Sequence, residues 1–277
     1  MKNNVDHNIP VFPAIMMAFL LLPWGLSSCQ KSGTAAFTDL LVVEAYLSPG
    51  EKISIKITQK VPYDDGTTVT STNLDALDVR VVSGDIEYPL VSMGSGVYKD
   101  TSGTIKVIPG NTYIFHMNYK GTEVSSTTMI PSKPTSVTQS VTFIKMSQFD
   151  PDNPTGSTHP EPVIITFANT DASYYLTTVE CMDTTLVPVY KDSIPANDMF
   201  SSQPVTGTEI EIQPMRIRYF GLNRIILYHI NPEYSTFFMR QASTSQNYQE
   251  PPTNIVNGLG IFTGINADTL YLNVIQQ

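Results

Sequence analysis

Short stretches of alternating apolar and polar residues, separated by turn-forming residues, run through most of this chain and limit the folds open to it. The clearest alternation places Ile53, Ile55 and Ile57 between polar neighbours, just after the turn residues Ser48-Pro49-Gly50. Because successive side chains of a strand point to opposite faces, the three isoleucines share one half-buried face. Helical periodicity is nearly absent, so the sequence predicts an all-β protein.

The first half of the chain, residues 36–133, is predicted to be a β-sandwich domain of immunoglobulin-like or transthyretin-like type. In its 113–119 segment the aromatic and Met residues fall on one face and His116 on the other. Asp64-Asp65-Gly66 has the composition of a hairpin turn. The predicted strands include residues 41–47, 53–58, 78–83, 86–91, 104–108, 113–119 and 122–129.

A second β-rich domain is predicted over residues 134–277. Pro131 and Pro134 indicate the boundary, since two prolines so close together favour an extended connector. One short helix is predicted where Asn231 can cap and Pro232 suits the first helical position, with Tyr234, Phe237 and Phe238 on its buried face. The predicted strands are residues 136–145, 163–169, 173–181, 185–190, 209–213, 223–230 and 269–275.

The N-terminus has the pattern of a bacterial lipoprotein signal peptide. An apolar run from Val11 ends in Leu26-Ser27-Ser28-Cys29, two small residues before a cysteine. The run is shorter than the roughly 20 residues of a membrane-spanning helix, and Pro13 and Pro23 interrupt it. The sequence therefore predicts removal of residues 1–28 and lipidation of Cys29, which would hold the chain on a membrane face. The alternative is an ordinary signal peptide cleaved elsewhere.

Charge and cysteine content exclude several classes of protein. The formal net charge is −9, and Lys and Arg are scattered, which argues against binding nucleic acid or anionic lipid by electrostatics. With Cys29 lipidated, Cys181 is the one thiol left, so no intramolecular disulfide can form. Cys181 is interpreted as a small buried apolar residue.

No motif predicts a catalytic centre, a metal site or a cofactor site. His116, His159 and His229 lie far apart and form no helical ligand pair, so each is interpreted as a solvated or hydrogen-bonded histidine. No G-x-S-x-G, S-x-x-K or P-loop pattern occurs. Gly258 and Gly260 resemble a dinucleotide loop only superficially, because no βαβ unit surrounds them, and a packing role is favoured.

The proline-rich loop at residues 150–162 is a candidate binding loop because it is long and polar. Asp150, Asp152 and Asn153 could offer oxygen ligands to calcium, but their spacing lacks the third acidic position and the glycine of a calcium loop. A solvated turn is the favoured interpretation.

Glycan binding through stacked aromatic rings is a further alternative. The single tryptophan, Trp24, lies in the predicted leader, which leaves the 14 tyrosines as platform candidates. Most of them occupy strand positions where packing accounts for them.

Three segments resemble a family of uncharacterised outer-membrane lipoproteins typical of Bacteroidetes. They are Leu41-Val42-Val43-Glu44, then Gly96-Val97-Tyr98 followed by Gly110, Tyr113 and Phe115, and a closing segment at residues 254–262. The closing segment is the most specific, with Asn254, Gly258, Gly260 and Phe262 as its structural motif. Ala45 and Asn257 stand where a glycine is usual, and asparagine tolerates positive φ well.

The resemblance implies an outer-membrane location and a neighbouring TonB-dependent receptor, and it supplies no catalytic residues. We therefore expect a non-catalytic accessory or ligand-binding lipoprotein with no cofactor. The alternatives are a glycan or peptide hydrolase whose carboxylates come from distant strands, and a structural or adhesive surface subunit with an open strand edge.

Overall fold

β-Strands dominate the computed structural model, which describes residues 39–60, 73–152, 160–191, 199–241 and 252–277. The all-β prediction is confirmed, with one α-helix among the described residues. Several predicted features lie outside these residues: the leader with Cys29, the Asp64-Asp65-Gly66 turn, Asn153 and His159.

Eight strands precede the proline-rich connector. They are β1 (Leu41–Leu47), β2 (Ser54–Gln59), β3 (Arg80–Ser83), β4 (Ile86–Pro89), β5 (Val91–Ser92), β6 (Val97–Lys99), β7 (Thr112–Tyr119) and β8 (Thr122–Met129).

Eight strands and two helices follow the connector. They are β9 (Thr138–Gln139), β10 (Phe143–Met146), β11 (Val163–Thr166), β12 (Tyr174–Cys181), β13 (Met199–Ser201), β14 (Glu209–Ile212), a 3-10 helix (Pro214–Arg216), β15 (Gly221–Ile230), α1 (Pro232–Gln241) and β16 (Leu259–Gln276).

These strands form three sheets. The largest has nine strands in the order β13-β12-β15-β16-β1-β2-β6-β5, with β10 also paired to β16. A four-stranded sheet has the order β4-β3-β7-β8, and a three-stranded sheet the order β14-β11-β9.

The long strand β16 joins the two halves of the chain. Its first residues pair in parallel with β1, from Val42 opposite Leu259 to Leu47 opposite Gly264. Its last residues pair in parallel with β10, and its other edge pairs antiparallel with β15. Residues Asp39–Gln277 form one compact unit. The boundary predicted at residues 133–134 stays a prediction.

Two hydrophobic cores flank β16. In the first, the buried faces of β1 and β2 meet those of β3 and β7 as in a β-sandwich, and Phe262 of β16 lies 5.8 Å from Phe115 of β7 between ring centroids. The second core lies between β12, β15 and β16 and the sheet of β11 and β14. Ile53, Ile55 and Ile57 are all buried in the first core, as the alternation predicts.

The predicted strand at residues 104–108 is wrong. Ile105 and Val107 do point into the core, but the backbone of the neighbouring Lys106 and Ile108 pairs with a side chain instead of a strand. The Tyr113 hydroxyl donates to the carbonyl of Lys106 and accepts the N–H of Ile108 at 2.9 Å. This arrangement is a tyrosine corner, a feature of Greek-key sandwiches. Alternation predicted the burial of this segment and not its pairing partner.

Other strand predictions need smaller corrections. Residues 185–190 form only isolated bridges, Pro188 with Tyr219 and Tyr190 with Phe149, and a proline cannot donate to a ladder. Strand β16 begins ten positions earlier than the predicted 269, because its glycines lie inside the strand and not in a loop before it. The short strands β6 and β13 were not predicted.

The connector is held against the second half of the chain. Asn266 donates from its side-chain amide to the carbonyl of Pro131 at 2.9 Å, and Lys133 pairs with Asp268 at 2.9 Å. His229 donates from Nδ1 to the carbonyl of Ser132 at 2.8 Å. The two prolines therefore mark an extended segment that is fixed by side-chain contacts.

Helix α1 begins at Pro232, as predicted. Tyr234, Phe237 and Phe238 are half-buried rather than buried, because the helix lies on the outer face of the large sheet. Tyr234 contacts Tyr46 of β1 edge-on, with ring centroids 5.6 Å apart. Burial, with a smaller contribution from the Glu44 carboxylate, raises the pKa of Tyr46.

Candidate functional site

The closing segment at residues 254–262 ties the edge of β8 to the start of β16. The Asn254 side chain accepts the Phe262 N–H at 3.0 Å and donates to the Phe262 carbonyl at 2.7 Å. Ser126 donates to the Asn254 carbonyl at 2.8 Å, and Val256 pairs with Ser125. A side-chain amide thus replaces a backbone partner where β16 begins.

Gly258 and Gly260 lie where the backbone comes very close to other segments of the same chain. Gly260 has φ +101°, and a Cβ there would lie 2.0 Å from the carbonyl oxygen of Val43 on β1. A Cβ on Gly258 would lie 2.9 Å from a methyl group of Ile255 and 3.2 Å from the carbonyl oxygen of Leu41. These contacts favour a packing role, which substitution can test.

A polar network fastens α1 to β8 and β16. Glu233, in the first turn of α1, accepts hydroxyl hydrogen bonds from Thr128 at 3.2 Å and Thr263 at 3.0 Å. The Thr128 oxygen in turn accepts the Gly264 N–H at 2.9 Å and the Asn231 amide at 3.0 Å. A carboxylate at this position is also favoured by the helix dipole.

The Asn231 side chain, predicted to cap the helix, forms hydrogen bonds with β8. Its amide nitrogen donates to Thr128 and, at 2.8 Å, to the carbonyl of Met129. The backbone carbonyl of Asn231 accepts the N–H of Tyr234 at 3.1 Å and of Ser235 at 3.2 Å. The asparagine therefore links the helix to β8 in addition to starting it.

A cleft of about 230 Å³, here named the α1 cleft, lies between the helix and the closing segment. It brings together two residues of the predicted motif, Asn254 and Gly260, with Glu233, which was not predicted. Its wall combines apolar and polar groups, and Glu233 is the only ionisable residue among the lining residues that the structure describes. The lining consists of Glu233, Thr236, Phe237, Pro252, Thr253, Asn254, Gly260 and Ile261.

The hydrogen-bond network beneath this cleft was not predicted from the sequence. Thr128, Glu233 and Thr263 come from three separate parts of the chain, so no local spacing connects them. The one local signal was a glutamate directly after the Asn-Pro helix start.

Asp150 and Asp152, considered above as possible calcium ligands, lie at a turn. Asp150 pairs with Lys191 at 2.8 Å and accepts the N–H of Asp152 at 3.0 Å. The Lys191 ammonium holds the pKa of Asp150 below its usual value. Asn153 lies outside the described residues. No group of three or more His, Cys, Asp or Glu residues suited to a metal ion occurs in the described ranges.

The described histidines and the remaining cysteine have structural neighbours. His116 pairs with Glu87 at 2.6 Å, and His229 stacks on Tyr175 with centroids 4.6 Å apart. Cys181 is half-buried, less than predicted, and its sulfur lies 3.6 Å from the Phe220 carbonyl oxygen. Burial raises the pKa of the Cys181 thiol, which lowers its reactivity.

Two of the described tyrosines are exposed. Tyr46 is 37% exposed but packs against α1, and Tyr271 is 53% exposed near the far end of β16. They are carried by different strands rather than gathered at the α1 cleft, which weakens the case for an aromatic sugar platform there.

Comparison with known proteins gives one family. No curated protein matches this sequence. Among solved structures, the crystal structure of the chicken CNTN1 FN1-FN3 domains is similar at 11% identity, over 70% of this chain and 60% of that one, with a TM-score of 0.24. The chain thus spans less than two thirds of that structure.

In the described part of the chain, no helix has the length and hydropathy needed to cross a membrane. A family model, described as a domain of unknown function, matches residues 30–270, which is most of the sequence. This chain belongs to the DUF4249 family.

Proposed function

We propose that this protein is a non-catalytic lipoprotein of the outer membrane, held there through Cys29, that serves as an accessory or ligand-binding component of a TonB-dependent receptor. The proposed ligand-binding site is the α1 cleft. The proposed contact with the receptor is the loop at residues 150–162.

The observation that carries the binding role is that the described lining of the α1 cleft contains a single carboxylate, that of Glu233. Hydrolysis of a glycoside ordinarily needs two carboxylic groups with different pKa values, one as acid and one as base or nucleophile. Glu233 is the one ionisable residue among the described lining residues, and it already accepts hydrogen bonds from two hydroxyl groups. The described lining can hold a small polar or apolar group and contains no pair of carboxylic groups.

Two sequence facts support the lipid anchor. Cys29 ends a signal-like segment, and the family match begins at residue 30, directly after it. Confinement to one membrane raises the effective concentration of both partners, so a modest interface with the receptor suffices.

Fractionation of a Cys29→Ala variant tests the anchor. We expect the variant to leave the membrane fraction, because nothing else in the mature sequence is apolar enough to hold it there. Cys181→Ala is the matched control, since it removes the other cysteine and should stay membrane-bound. A Cys29→Ala protein that still pellets after a high-salt wash, without any receptor present, contradicts the proposal.

Co-purification in mild detergent tests the partner. The wild-type protein should bring down a TonB-dependent receptor, and replacing residues 153–159 by a Gly-Ser linker of equal length should weaken that recovery at an unchanged melting temperature. Retaining Asp150 keeps its ion pair with Lys191. Recovery of no receptor counts against the partner.

A panel of glycans and peptides tests the non-catalytic role. We expect no turnover by the purified protein. Turnover that Glu233→Gln abolishes would establish a hydrolase and overturn the proposal.

A further inference from the structure

We infer that the outer edge of β10 receives an extended segment of another protein, which adds to the large sheet as one more strand. The inference rests on the backbone of β10 and on the side chains around it. It depends neither on the lipid anchor nor on the α1 cleft.

The backbone of β10 has one edge paired with β16 and an outer edge with which no described strand pairs. Thr142 accepts the N–H of Asn273 at 2.9 Å, and Met146 accepts the N–H of Gln277 at 3.0 Å, so the even-numbered residues face β16. Alternate residues of a strand direct their N–H and C=O groups to opposite edges. Phe143 and Lys145 therefore direct theirs away from β16, and no described strand pairs with them there.

Large apolar side chains surround this edge on the solvent face. Phe143, Asn273 and Leu222 lie side by side across β10, β16 and β15. Phe143 is 55% exposed and Leu222 is 42% exposed. Tyr271 and Ile275 flank Asn273 on β16 and are also exposed. Ile144 and Met146, on the other face of β10, are buried in the second core.

The outer edge of β10 and the exposed apolar side chains beside it are together suited to binding a peptide in extended conformation. Unpaired backbone groups are satisfied by another backbone, whereas lipid would leave them without partners. A second copy of this chain would bring together two molecules of net charge −9. An extended segment of a different protein meets both requirements.

The side chains of β10 also set the chemistry of that segment. In an added strand, one residue lies beside Phe143 and another, two positions along, beside Lys145 on the same face. Lys145 forms no ion pair with any residue in the described ranges. The partner segment should therefore carry an apolar residue opposite Phe143 and an acidic residue opposite Lys145.

Synthetic peptides test this inference directly. The probe is a fluorescent hexapeptide of alternating valine and threonine with one glutamate in place of a valine, so that the glutamate and the remaining valines share one face, added at up to about 1 mM to residues 30–277. We expect saturable binding. Methylation of the amide nitrogens that face β10 should weaken it at least tenfold, whereas methylation of the alternate amides should leave it unchanged. A lysine in place of the glutamate should also weaken it.

Protein variants give an independent reading. Phe143→Ser should weaken binding of the glutamate peptide at least tenfold. The control is Thr127→Ser, in β8 of the four-stranded sheet, which should leave the binding unchanged. The inference is overturned if both methylated peptides bind equally well or if none of the peptides binds. It is also overturned if the protein dimerises through this edge, or if it binds phosphatidylcholine vesicles and Phe143→Ser abolishes that binding.

Discussion

The side-chain amide of Asn254 forms two hydrogen bonds with the backbone of Phe262, at 2.7 Å to its carbonyl and 3.0 Å from its N–H. The two residues lie eight positions apart in the sequence, and between them the chain turns back on itself. The Phe262 ring is meanwhile fully buried in the first core. This pairing fixes the entry of the longest strand of the fold, and the wall of the α1 cleft depends on it.

Replacing Asn254 by alanine should lower the free energy of unfolding by about 1–3 kcal/mol, because both backbone groups of Phe262 lose their partner. Chemical denaturation provides the measurement. Asn273→Ala, at an exposed position of the same strand, is the control and should have little effect. Equal stability of the two variants would contradict the role given to Asn254.

Replacing Gly260 by valine should cost more than about 1–3 kcal/mol, because φ is positive and the new Cβ would overlap the Val43 carbonyl oxygen. Gly258→Val should cost an amount within that range. At roughly 2–4 °C per kcal/mol, a thermal melt resolves both. Gly207→Val is the control, since a Cβ there meets nothing within 4 Å. An unchanged melting temperature with lost partner binding would instead assign these glycines to a binding loop.

Tyr113→Phe should destabilise the protein by about 1–3 kcal/mol, because the buried hydroxyl holds the carbonyl of Lys106 and the N–H of Ile108. Tyr271→Phe removes an exposed hydroxyl and should be nearly neutral. Urea denaturation of both variants makes the comparison. A neutral effect of Tyr113→Phe would show that the tyrosine corner does not contribute to stability.

Asp100 should make the stability depend on pH in the acid range. Burial raises the pKa of this carboxyl, but hydrogen bonds from Ser102 and from the backbone outweigh burial and hold the pKa below its ordinary value of 3.8. A lowered folded-state pKa stabilises the protein above the unfolded-state pKa, and this contribution is lost as the pH falls through the folded-state value.

Asp100→Asn should therefore cost about 1–3 kcal/mol at neutral pH, and its difference from wild type should shrink below a pH of about 4. Denaturation curves at both pH values measure it, with Asp85→Asn in the exposed β3–β4 turn as the control. A difference that stays constant with pH would contradict the assigned role of Asp100.

Local patterns predicted burial better than they predicted pairing. Tyr113, Phe115, Met117 and Tyr119 lie buried on one face of β7, as their spacing indicates. The same kind of pattern at Ile105 and Val107 led to a wrong strand, because alternation specifies which side chains face the core and leaves the backbone partner open. Glycines at the start of β16 led to the prediction of a later strand.

The sequence alone determined the all-β class, the faces of the principal strands and the start of α1, since each depends on residues within a few positions of one another. Only the tertiary structure decided that β16 pairs in parallel with both β1 and β10, that Thr128 and Thr263 contact Glu233, and that no described strand pairs with the outer edge of β10. These pairings and contacts join segments that lie up to 217 positions apart (Val42 and Leu259), and their energies depend on the packing of the whole sheet, which no local pattern encodes.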